Sequence, residues 1–371
     1  MNGQMRAVRS GLCACMLLAP GLLSPMAKRA QALDFPVLLA PGNQTFPSID
    51  ANTVVWLDGR PGQKQVVAGI SATNVYGKNL ISGRQYRITA SPTAVGRPAN
   101  SGEFVAWQDC RDCRQVQDPV GYTGSRIVVK NLRSGRTFTV AHHSQDQAAP
   151  VVSGGLLVWE DRLNGVWSIY GRDLVTGREF QVARTRVMIS SPSISGNLIV
   201  WRDRERRGRD AILGKNVVTG KTFLVVRAQA HTVLSDPMIS KNRVIWSSGD
   251  STNNAVSIEG KNLATGASFQ VVMIPSGQYN PEFGPNQAIS GTIVTWQVTS
   301  RILSPSHPDY EVMAYDLSTH RHLRISRSGY SDESPSVSGR TLVWAQSRRN
   351  AKDWRYLSSH IWGVRWSNPK Q

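Results

Sequence analysis

Pro192-Ser-Ile-Ser-Gly-Asn-Leu-Ile-Val-Trp201 decides how the rest of the chain is read, because it does not occur once. Near copies stand at Pro47-Ser-Ile-Asp-Ala-Asn-Thr-Val-Val-Trp56, Pro150-Val-Val-Ser-Gly-Gly-Leu-Leu-Val-Trp159 and Pro237-Met-Ile-Ser-Lys-Asn-Arg-Val-Ile-Trp246. Variants run from Pro98 to Trp107, Ala288 to Trp296 and Pro335 to Trp344. The seven tryptophans are 42 to 52 residues apart, so the chain is an array of like supersecondary units and not a mosaic of domains. We number these repeats 1 to 7 by their tryptophans.

Each repeat resolves into four short strands. In repeat 4, Ser193-Ile-Ser is followed by the turn Gly196-Asn197, the strand Leu198 to Asp203 and a loop from Arg204 to Arg209. A strand from Ala211 to Val218, the turn Thr219-Gly220 and a strand from Thr222 to Arg227 complete it. These segments are rich in Val, Ile, Phe and Trp and are bounded by Gly or Asn turns. No sustained 3.6-residue apolar period competes with them. Four-stranded units in series predict an all-β, seven-bladed β-propeller of four-stranded antiparallel blades. The last repeat has a third strand, His360 to Trp366, and no fourth. Residues 33–40, Leu-Asp-Phe-Pro-Val-Leu-Leu-Ala, resemble the fourth strands Glu179-Phe-Gln-Val-Ala183 and Ser268-Phe-Gln-Val-Val272. The amino-terminal strand is therefore expected to pair into the last blade and close the ring, leaving no open edge.

The hairpins Ser168-Ile-Tyr-Gly-Arg-Asp-Leu-Val-Thr-Gly177 and Val312-Met-Ala-Tyr-Asp-Leu-Ser-Thr319 carry a resemblance. With the proline, the turn and the Ile-Val-Trp strand they are similar to the TolB-like (WD40-like) β-propeller repeat, over the whole chain after residue 32. TolB itself differs: it has an amino-terminal α/β domain for which this chain has no room, and Ser-Pro-Asp-Gly where this chain reads Ser-Ile-Ser-Gly. The resemblance implies an architecture, not the role of TolB.

Residues 1–32 read as a secretory signal peptide, with Arg6 and Arg9 before an apolar stretch, Leu12 to Leu23, and Ala30-Gln31-Ala32 before Leu33. That stretch is short for a membrane span, and no later one is longer. The expectation is two parts, a leader at 1–32 and a propeller at 33–371, periplasmic or secreted and monomeric, with no transmembrane segment. Lys and Arg number 43 against 25 Asp and Glu, a net charge of +18, of which the leader accounts for only Arg6, Arg9, Lys28 and Arg29. A field of that sign favours a protein partner with an acidic patch or an anionic envelope polymer. Export argues against nucleic acid.

Strand alternation places Val54, Trp56 and Asp58 on one face, so the repeated Trp is read as the filler between neighbouring blades. Asp58, Asp109, Asp161 and Asp203 follow the Trp and are expected to clamp loops through backbone N–H groups. Repeats 5 to 7 carry Ser248, Val298 and Gln346 there, which excludes a sevenfold ring of carboxylates. Gly220-Lys221-Thr222 lies in a hairpin and has Lys215 where a phosphate-binding loop requires glycine. Cys110 and Cys113 are expected to form a local structural disulfide, since thiol–disulfide catalysis uses such a pair at a helix start.

In a meander of four strands, the connections between strands two and three and between blades share one end of the ring. These are the long loops here, and long loops are where scaffolds of this kind bind. Arg204, Arg206, Arg207, Arg209, Arg348, Arg349 and Lys352 are the candidate ligand-binding residues there, with Arg111 and Arg114 beside them. The reading is an exported, non-enzymatic binding or scaffold protein with no catalytic residue, cofactor or metal. Its alternative is a polysaccharide lyase on acidic oligosaccharides. Oligogalacturonate lyases resemble TolB-type propellers and use clustered His ligands with Arg, which here implies His142, His143, His231 and His307.

Overall fold

The computed structural model describes residues 34–60, 73–117, 120–140, 146–163, 166–184, 188–204, 208–250, 252, 255–274, 287–302, 308–326, 330–349 and 356–366. The expected leader, 1–32, lies outside them. Every regular element among the described residues is a strand, and no described helix is long and apolar enough to cross a membrane.

Repeats 2 to 6 each form a separate four-stranded sheet. Repeat 4 shows the pattern: Met188–Ser195, Leu198–Arg204, Asp210–Asn216 and Thr222–Arg227, each antiparallel to the next. The expected count of seven separate blades is corrected here, because five stand apart and the strands of repeats 7 and 1 belong to one eight-stranded sheet. The cause is local. Asn43 pairs in parallel with Ser359, Ser359 Oγ donates to the Gln44 carbonyl at 2.9 Å, and His360 Nδ1 lies 3.2 Å from Gln44 Oε1. These contacts stitch the strand Asn43–Asp50 onto Tyr356–Arg365. On the other side of the seam, Asp34–Leu38 runs antiparallel to Tyr356–Arg365, with Asp34 opposite Val364 and Phe35 opposite Gly363.

The first strands of successive repeats touch one another in a closed circuit, so they form the inner wall of the ring. Each repeat's Trp is buried and packs against the repeat before it. Trp107 sits with Val55, Leu57 and Val75, Trp201 with Val158 and Ile169, and Trp56 with Val343, Ala345 and Ile361 of repeat 7. Burying aromatic side chains of this size accounts for much of the cohesion between repeats.

The Ser before each inner turn has a second job. Its Oγ accepts the N–H of the next repeat's turn: Ser101 from Gly154 (3.0 Å), Ser153 from Gly196 (2.9 Å), Ser195 from Lys241 (2.8 Å), Ser240 from Gly291 (2.9 Å) and Ser290 from Gly339 (2.9 Å). Asp50 does the same for Gly102 (2.7 Å), and Ser338 for Ala51 (2.8 Å), which returns the circuit to its start. Every donor has positive φ, from 49° to 61°, which explains why five of these positions are glycine.

At the outer hairpins, Asn131, Asp173, Asn216 and Asn262 accept backbone N–H bonds from residues two or three ahead, the Asx turn that the recurring Thr-Gly or Ser-Gly completes. Beside them Lys78, Lys130, Lys215 and Lys261 each reach a carbonyl in or just after the fourth strand of the neighbouring repeat: Val37, Ile88, Val182 and Val225, at 2.7 to 3.1 Å. Four of the excess cations thus bind the protein itself.

Candidate functional site

The aspartates after the tryptophans take up different tasks from one repeat to the next. Asp58 accepts the Trp56 indole N–H at 3.3 Å and pairs with Arg60 at 3.0 Å, while Asp161 accepts the Trp159 indole N–H at 3.2 Å and Gln147 Nε2 at 3.1 Å. Asp109 clamps a loop in the expected way, accepting the Arg111 backbone N–H at 3.1 Å. It also accepts the Thr93 hydroxyl.

Asp109 thereby leads into the turn closed by the Cys110–Cys113 disulfide, with Cα atoms 4.9 Å apart. The turn is anchored by Cys110 N–H to the Thr93 carbonyl at 2.8 Å and by an Arg126–Asp112 ion pair at 3.0 Å. It opens into an extra hairpin, Arg114–Gln117 with Val120–Thr123, which Asp146 of repeat 3 holds through Thr123 Oγ1 (3.0 Å) and the Gly124 N–H (2.8 Å). The disulfide sits between strands and not at a helix start.

The basic residues divide. Arg204 is an ion-paired side chain: its Nε lies 3.4 Å from Asp210 Oδ1, and Arg202 Nη2 lies 3.0 Å from Oδ2 of the same carboxylate. Asp210 is 2 % exposed and also accepts the Leu234 N–H at 3.2 Å, so two guanidinium groups and a backbone donor balance one buried charge. Arg209 and Arg348 are exposed, as are Arg111 and Arg114 on the disulfide turn and hairpin. Arg206, Arg207 and Lys352, with the Arg349 side chain, lie outside the described residues.

His142, His143 and His307 lie outside them as well. His231 is described, exposed, and has φ of 65°. Among the described residues no three His, Cys, Asp or Glu side chains come close enough to hold a metal ion.

A cleft of about 340 Å³ opens at the long-loop end between repeats 1 and 2, lined among others by Arg87, Thr93, Trp107, Asp109, Arg111 and Lys130. Sequence reading missed it because its walls come from strands of different repeats. The one signal available was Arg111 within the Cys pair.

No protein-family model matches this chain, and no curated protein matches it. Solved structures do. The β-propeller domain of the trilobed protease from Pyrococcus furiosus, described as having an open velcro topology, superposes with a TM-score of 0.60 at 10% identity. That match covers 88% of this chain and 96% of that one. This is a β-propeller. An oligogalacturonate lyase in complex with manganese gives a TM-score of 0.59 at 9% identity over 88% of this propeller and 90% of the lyase. The oligogalacturonate lyase of Vibrio parahaemolyticus gives 0.58 at 8% identity over 93% and 96%. At these identities the likeness is one of fold.

Proposed function

We propose that this chain is a TolB-like binding propeller, exported after loss of residues 1–32, that engages an anionic envelope component or an acidic protein surface without catalysing a reaction. One observation carries the reading: Arg114, Arg209 and Arg348, each in or beside the connection between the second and third strands of repeats 2, 4 and 7, are exposed with no ion-pair partner among the described residues. Elsewhere part of the basic excess is engaged, as lysine bonds to carbonyls and as arginine pairs. Uncompensated guanidinium groups suit carboxylate or phosphate, which they meet with paired hydrogen bonds. We also read the eight-stranded sheet as two blades joined at the closing seam, a sevenfold ring. The circuit of seven turn-to-Ser or turn-to-Asp bonds supports it.

The test is retention of the full chain on an anionic matrix and on envelope extract across a salt series. An Arg114→Ser/Arg209→Ser/Arg348→Ser variant should elute at lower salt with an unchanged melting temperature. Equal elution would reject the reading. Manganese held tightly by the purified chain, with cleavage of oligogalacturonate, would replace it with the lyase alternative.

A further inference from the structure

We propose that the cleft between repeats 1 and 2 binds a small organic oxyanion, with the disulfide-closed turn presenting Arg111 to it. The proposal rests on the anion-binding reading only for the sign of the ligand's charge, and it names a site and ligand class separate from Arg209 and Arg348.

The floor is apolar, made of Trp107, Ile88 and Val128. Three cations stand around it. Arg87 is held in place by Nε to Asn74 Oδ1 at 3.1 Å and Nη2 to the Ala90 carbonyl at 2.7 Å. Lys130 Nζ gives one hydrogen to the Ile88 carbonyl at 3.0 Å, and an ammonium has two more. Arg111 is exposed, and no described side chain pairs with its guanidinium. The single acid in the lining is Asp109, whose carboxylate already accepts the Thr93 hydroxyl and the Arg111 backbone N–H.

That engagement sets this repeat apart from its neighbours. In repeats 1 and 3 the aspartate two places on receives the indole N–H. In repeat 2 Asp109 serves the disulfide turn, and Trp107, only 3 % exposed, keeps an indole N–H with no acceptor among the described residues. Trp201 and Trp246 share the unmet donor, but neither lines this cleft. Net positive charge and an apolar floor together suit an oxyanion head on a compact body. The volume lies at the lower end of the range for small-ligand sites, about 300–1,000 Å³. Carboxylate and phosphate ester share this chemistry.

Calorimetric titration of the full chain with benzoate, phenyl phosphate and neutral benzamide tests it. Saturable binding of either anion and none of benzamide is expected, the tighter anion identifying the head group. Arg111→Ser should weaken binding by about tenfold, the worth of one charge-assisted hydrogen bond, with an unchanged melting temperature. Cys110→Ser/Cys113→Ser should weaken it in the same direction. In Arg209→Ser/Arg348→Ser binding should persist, so unchanged matrix retention of that variant would reject only the loop-end reading. No saturable binding of either anion, benzamide binding as tightly, or full affinity in Arg111→Ser would overturn the cleft assignment.

Discussion

Phe35 lies against Gly363: an ideal β-carbon on that glycine would stand 2.8 Å from the ring's Cζ. Phe180 covers Gly171, Phe223 covers Gly214 and Phe269 covers Gly260 in the same way, each pair directly opposed across a third and fourth strand. Phe35 and Gly363 are also directly opposed, though the chain between them spans the whole ring. The strand Asp34–Leu38 therefore fills the fourth-strand place of repeat 7, and glycine is needed where the aromatic ring comes so near.

Phe35→Ala should cost about 2–3 kcal/mol, below the full range for a buried Phe because the ring is only partly covered. Deleting residues 34–38 should be worse, exposing Tyr356–Arg365 as an edge and promoting aggregation. Denaturant midpoints and light scattering check both. A variant that melts like the wild type would remove the strand from the closure.

Ser195→Ala removes one bond of the inner circuit and should cost about 0.5–1.5 kcal/mol. Gly196→Ala, at φ of 56°, should cost about 1–2 kcal/mol through backbone strain alone, since nothing stands near its missing β-carbon. Urea unfolding of the two variants and the double variant gives both values.

Asp332 is fully buried, and burial pushes its carboxyl up to about 7 despite hydrogen bonds from Gln346 Nε2 (3.0 Å) and Trp344 Nε1 (2.9 Å) to Oδ1. The folded state thus holds this proton more tightly than the unfolded chain, whose carboxyl titrates near 3.8. Its contribution to stability falls as pH rises from about 4 to about 7, opposite to the usual aspartate. Asp332→Asn keeps the Oδ1 acceptor and should flatten that fall. Melting temperatures at pH 4.5, 6 and 8 decide it; parallel curves for wild type and variant would count against it.

Lys215→Met should lower the melting temperature by several degrees, because Lys215 Nζ ties its repeat to the Val182 carbonyl. Arg209→Ser, with no such bond among the described residues, should leave it unchanged. Differential scanning calorimetry separates the cations that hold the ring from those that face outward.

Much of the architecture was legible because its physics repeats. A buried Trp every 42 to 52 residues, a Ser ahead of a positive-φ turn and an Asx hairpin each recur, and the Phe35 strand was recognisable by comparison with its own siblings. What escaped notice depends on single pairings across the fold. Arg204 looked like a free loop charge, yet Asp210 stands directly opposite it on the next strand. The Asn43–Ser359 seam that merges two sets of strands comes from one residue pair with no sequence period. Asp332 is likewise one acid without counterparts, and its shifted proton affinity follows from burial between strands. The cleft beside Trp107 needs side chains from two repeats at once.

The seam also fixes an order of events during synthesis. A ribosome releases Phe35 some three hundred residues before Gly363, so the loop that joins them spans the whole ring. Loop-closure entropy grows only slowly with length, so the delay is one of supply more than of thermodynamics. Until Tyr356–Arg365 emerges, the early strand has no native partner, and the growing ring presents a bare inner strand at Asn43–Asp50 and an unfinished edge at its newest repeat. Such edges invite pairing with other chains. A cell making this protein has to shield them for the time needed to synthesise some three hundred residues.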